Sequence, residues 1–95
     1  MDWNAVVAAA PDQVSNAVGD EVAILSLTRG TYFGLNATGA RVWGLLQSPI
    51  RVRDLCDQLL EAYDVDADVC RTDLINLLEE LARAGLIHVQ PGEPG

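Results

Sequence analysis

The apolar pattern changes its period at Asn36, and this change limits the folds open to the chain. Before it, apolar and β-branched residues come in short runs separated by two-residue turn signals at Gly19-Asp20 and Arg29-Gly30. Such runs are the mark of antiparallel strands. After Asn36, apolar residues recur every three or four positions, as in amphipathic helices. The chain therefore reads as strands first and helices afterwards.

Strands are predicted over residues 12–18, 21–28 and 31–35. The second carries Val22, Ala23, Ile24, Leu25 and Leu27, so apolar on both faces that each face should meet something, or one should be covered by a partner. Asn36 suits the N-cap of a helix over residues 37–47, and Pro49 stops it. A second helix is predicted over residues 52–63. Asp66 or Asp68 can cap a third, over residues 67–84, with Gly85 as its left-handed C-cap.

The order predicts an α+β, winged-helix-like fold: a three-stranded antiparallel sheet followed by three helices. With 95 residues, 49% of them hydrophobic, the chain has material for one modest core. Residues 12–89 are assigned to a single domain. Residues 1–11 are set apart as an N-terminal arm in which the small-residue run Val6 to Ala10 has no assigned structure. Leu86 to Val89 can return to the core or sheet, and residues 90–95, rich in proline and glycine, are expected to form a flexible tail.

The formal charge is −8, from 14 acidic and 6 basic residues. Such a field repels a phosphate backbone, so nucleic acid is disfavoured as a partner. Cys56 and Cys70 fall on helices at a separation matching no zinc pattern, and read as small buried hydrophobes. His88 has apolar neighbours and no nucleophile in sequence reach. The set Asp64, Asp66 and Asp68 lacks the glycine turn and final glutamate of a calcium loop. The glycine-bearing stretches match no nucleotide fingerprint. These residues lead us to expect a non-enzyme without metal or cofactor. No apolar run reaches the roughly 18 residues that span a bilayer, and no signal-peptide pattern opens the chain, so the expected location is the cytoplasm, away from membranes.

A positive argument comes from residues 31–35, the edge of the predicted meander. This edge has little charge and no proline to block further pairing. An extended peptide could pair with Tyr32, Phe33 and Gly34 and direct its side chains into a cleft against Leu74 and Leu77 of the third helix. Asp73 on one flank of that helix, and Arg71 nearer the other shoulder, are charges a ligand could meet. On residues alone an alternative stays open: Phe33 and Leu35 are core, and the N-terminal arm covers the edge.

The run Tyr32-Phe33-Gly34-Leu35-Asn36-Ala37-Thr38-Gly39-Ala40-Arg41-Val42-Trp43, followed by Leu45-Leu46, resembles the PqqD-like family, also called RiPP recognition elements. The stretch Asp73-Leu74-Ile75-Asn76-Leu77-Leu78-Glu79-Glu80-Leu81, with Ala84-Gly85-Leu86-Ile87, is similar to it too, as is Tyr63-Asp64-Val65. The resemblance covers residues 13–89. It implies a domain that binds the leader of a ribosomally made, post-translationally modified peptide, the leader adding as a strand beside the third strand and packing on the third helix.

Carried onto this chain, the resemblance implies a peptide site of Tyr32, Phe33, Gly34, Arg71, Asp73, Leu74 and Leu77. A charged residue in place of Leu74 is expected to weaken leader binding more than about tenfold with the fold intact. The partners implied are the leader, a transglutaminase-like leader peptidase and a lasso cyclase. The alternative is a peptide chaperone for a radical enzyme in pyrroloquinoline quinone synthesis. A winged-helix DNA regulator is disfavoured, because the third helix carries Asp73, Glu79 and Glu80 beside Arg71 and Arg83.

Overall fold

Gly19 and Gly30 both take positive φ, 63° and 69°, the region glycine enters without a Cβ clash. Each reverses the chain where the sequence predicts a turn. The computed structural model describes residues 1–92, and within it β2 (Gln13–Val18), β3 (Glu21–Ser26) and β4 (Tyr32–Leu35) form an antiparallel meander in the order β2-β3-β4. Gly19-Asp20 closes the first hairpin between the paired Val18 and Glu21.

The second hairpin ends in a longer loop, whose buried polar residue is Ser26. The Ser26 hydroxyl accepts from the Arg29 N–H at 3.2 Å, and the Ser26 carbonyl accepts from Gly30 N–H at 2.9 Å. From the same loop, Arg29 Nη1 donates to the Arg83 carbonyl at 2.6 Å and Thr31 Oγ1 to the Ala84 carbonyl at 3.2 Å. The hairpin thus satisfies carbonyls that α3 leaves open at its C-terminus, and ties the sheet to that helix.

The helices are α1 (Ala37–Leu45), α2 (Val52–Ala62) and α3 (Ala67–Arg83). Asn36 caps α1 by accepting from Gly39 N–H at 2.9 Å, and the Asp66 carboxylate caps α3 by accepting from Asp68 and Val69 N–H. At the other end of α3, Gly85 has φ 75°, Leu86 N–H bonds to the Leu81 carbonyl and Gly85 N–H to that of Ala82. This pairing is a Schellman motif, and it directs Leu86 into the core.

The predicted arm is where the structure departs from the sequence reading. Val6–Ala9 forms β1, the centre of a second sheet in the order β5-β1-β6, with β5 at Ile50–Arg51 and β6 at Ile87–Gln90. Ala5, Val7 and Ala10 are buried, so residues 1–11 contribute to the core. A four-residue strand of valine and alanine carries little local signal, and its pairing partners lie far away in sequence. Gln90, expected in the tail, pairs with Val6, while residues 93–95 of that tail lie outside the described residues.

The fold is α+β and winged-helix-like, with the second sheet stitching the chain start, the α1–α2 connection and the chain end together. On β3, Val22, Ile24 and Ser26 turn inward toward the helices, whereas Leu25 lies exposed on the outer face, as does Leu27 just past the strand end. That face is uncovered in the single chain. The core brings together Ile24, Leu46, Leu55, Leu78, Leu81 and Leu86, all fully buried.

Candidate functional site

Opposed residues in an antiparallel pair alternate between bonded and non-bonded positions. Ser26 N–H donates to the Thr31 carbonyl at 2.9 Å, so in the same register Ile24 bonds Phe33 and Val22 bonds Leu35. Tyr32 and Gly34 therefore turn their N–H and C=O groups away from β3. Among the described residues β4 pairs with β3 alone, and the N-terminal segment pairs with β5 and β6 instead. The edge is open.

Beside this edge lies a cavity of about 500 Å³, with Phe33, Gly34 and Leu35 on one side and Cys70, Asp73, Leu74, Leu77 and Glu80 of α3 on the other. Val65 and Val69, at 49% and 55% exposure, flank its end. Apolar side chains with this much exposure at a concave site gain by being covered. The arrangement offers a backbone edge for hydrogen bonds and an apolar wall for side chains, the two components of strand addition.

The structure brings Phe33, Gly34, Asp73, Leu74 and Leu77 to this groove. Tyr32 contributes only its outward backbone, since its side chain lies on the outer face and is exposed. Arg71 is elsewhere: its guanidinium stands 4.3 Å from the centroid of the Trp3 ring. At 100° per residue Arg71 and Asp73 sit about 160° apart around α3, so one groove cannot receive both. Arg71 steadies the N-terminal segment through a cation–π contact.

Leu74 needs a second revision. It is only 3% exposed and belongs to the core cluster. A charge there would be buried without a partner and would destabilise the fold itself. The half-buried Leu77 is the position that separates binding from folding. Val65, Val69 and Glu80 were missed by sequence reasoning, although Val69, Asp73, Leu77 and Glu80 share one helical stripe at intervals of three and four.

Cys70 also lines the groove, and its sulfur lies 3.9 Å from that of Cys56 on α2. Burial, and then the contact with Cys70, push the Cys56 thiol up from about 9 to about 11. The neutral thiol is the form that suits the fold. Its contribution to stability is complete below about pH 9 and is lost as pH rises toward 11. We expect iodoacetamide at pH 8 to alkylate Cys70 well before Cys56, read from the fragment ions of the tryptic peptide 54–71, which carries both thiols. Equal rates at the two thiols would contradict this assignment.

Among the described residues no three His, Cys, Asp or Glu side chains gather as a metal site, and no helix is long and apolar enough to cross a membrane. His88 lies exposed on β6, opposite Ala8.

Comparisons with known proteins extend these observations. Residues 21–87 match the family described as Coenzyme PQQ synthesis protein D (PqqD). A solved structure described as TbiB1 in complex with the TbiA(beta) leader peptide is similar at 37% sequence identity and a TM-score of 0.78, covering 85% of this chain and 94% of that one. No curated protein matches the sequence.

Proposed function

This chain belongs to the PqqD family, and from that membership we propose that it is a RiPP recognition element that captures the leader of a ribosomally made precursor peptide. The observation that carries the reading is the unpaired edge of β4 facing the apolar wall of α3. A leader strand would bond to the outward groups of Tyr32 and Gly34 and seat its apolar side chains against Phe33, Leu74 and Leu77. The solved relative with a leader peptide in its complex supports the same assignment.

In this reading the domain performs no chemistry. It holds the leader in the cytoplasm and delivers it to a transglutaminase-like leader peptidase and a lasso cyclase. The family description favours a second reading, in which the recipient is the radical enzyme of pyrroloquinoline quinone synthesis. A pull-down with each enzyme, with and without leader, separates the two.

The binding step is tested by titrating the ¹⁵N-labelled protein with the leader encoded beside its gene. Amide shifts confined to Tyr32–Leu35 and to Val69–Glu80 are the expected result. Shifts confined to the β5-β1-β6 sheet, or tight binding of duplex DNA at low salt in place of the leader, would overturn the proposal.

A further inference from the structure

The groove is charged with one sign only. Of the residues that line it, Asp73 and Glu80 are the charged ones, and both are exposed. The chain holds six arginines and no lysine, and none of the six lines the groove. Arg29 is bonded to the carbonyl of Arg83, Arg51 to that of Asn4, and Arg71 stands over Trp3. Among the described residues the one ion pair joins the Met1 ammonium to Glu79 at 3.4 Å, so Asp73 and Glu80 have no cation of the chain's own.

The two carboxylates are also placed in order. Asp73, Leu77 and Glu80 follow one another along one face of α3 at i, i+4 and i+7, so the wall runs acid, apolar, acid over about 10 Å. A strand laid beside β4 turns every second side chain toward the groove, at intervals of about 6.8 Å. An apolar side chain seated on Leu77 would then have its neighbours on that face within reach of a carboxylate.

Resting on the leader-capture reading above, we infer that the occupant of this groove is an extended segment carrying a lysine or arginine two residues from its apolar anchor, on the same strand face. The carboxylate on that side of the anchor, Asp73 or Glu80, receives the cation. The apolar surround reduces screening by water, which makes the pair stronger than one on an open surface. The net charge of −8 adds long-range attraction for such a segment. An acidic or uncharged segment of the same apolar content is selected against, since it would leave both carboxylates unpaired beside it or face them with like charge.

The test uses a random peptide library displayed on phage and selected on the purified protein. Selected peptides should carry an apolar anchor with a basic residue two positions away. Replacing that residue by norleucine should weaken binding about five- to tenfold at low salt. On the doubly substituted protein, Asp73→Asn with Glu80→Gln, the same replacement should change affinity less than about twofold. Both positions are exposed, so the variants should melt with the parent protein, which circular dichroism checks. Peptides that compete for the β4 edge yet show no basic preference would overturn this inference and leave leader capture standing. Failure to select any peptide that protects Cys70 from alkylation would overturn both.

Discussion

Gly34→Pro is expected to lower leader affinity by at least about thirtyfold, roughly 2 kcal/mol: about 1 kcal/mol for the bond its missing N–H no longer donates, and about as much for the bond to its carbonyl, from which the ring holds the incoming strand away. The Gly34 N–H faces the open edge and bonds nothing in β3, so its removal leaves the β3–β4 pairing intact. The proline ring also fills the space a second strand must enter. Phe33, the preceding residue, is already extended, as a residue before proline must be. The melting temperature should therefore move by only a few degrees.

The control is Gly34→Ala, which keeps the N–H. A Cβ at this position meets nothing within 4 Å, so affinity should stay within about twofold. Fluorescence polarisation with a labelled leader measures both variants. If the proline variant binds like the parent, the peptide does not add as a strand at β4, and the groove alone would have to account for recognition.

The contrast between β4 and β1 shows which parts of the fold could be read in advance. The meander and the helices are marked by local chemistry: Gly19 and Gly30 at the reversals, Asn36 and Asp66 at helix starts, Gly85 at a helix end. Each acts within a few residues of itself, so the pattern along the chain suffices. β1, β5 and β6 have four, two and four residues. Val6-Val7-Ala8-Ala9 becomes a strand only because Ile50–Arg51 and Ile87–Gln90 arrive on either side of it. No local signal announces such a pairing.

The site divides along the same line. That residues 31–35 form a sheet edge followed from the order of elements, and that Leu74 and Leu77 share a face of α3 followed from helical spacing. How deeply each of those leucines is buried depends on how α3 rolls against α2 and β6, which spacing cannot fix. The choice between Asp73 and Arg71 depends on the same rotation. The structure turns Asp73 to the groove and Arg71 to Trp3.

That rotation makes Leu77 the most informative side chain on the wall. It is half-buried in the free protein, and under the proposed function a seated leader would cover the rest. Leu77→Gln keeps helix propensity and adds no charge beside Asp73 and Glu80, so the substitution reports on apolar contact alone. Full burial of a leucine side chain is worth roughly 1.5–3 kcal/mol and the leader would bury only the exposed half, so losing it should weaken leader binding about four- to twelvefold. Stability in urea should fall far less, because the new amide can turn to solvent. The same change at Leu74 should do the reverse, lowering stability by about 2–4 kcal/mol as the core loses packing. Leader affinity and urea midpoints measured on both variants distinguish wall from core. If Leu77→Gln binds normally and Leu74→Gln is the weaker binder at equal stability, α3 presents a different face to the peptide than the one described.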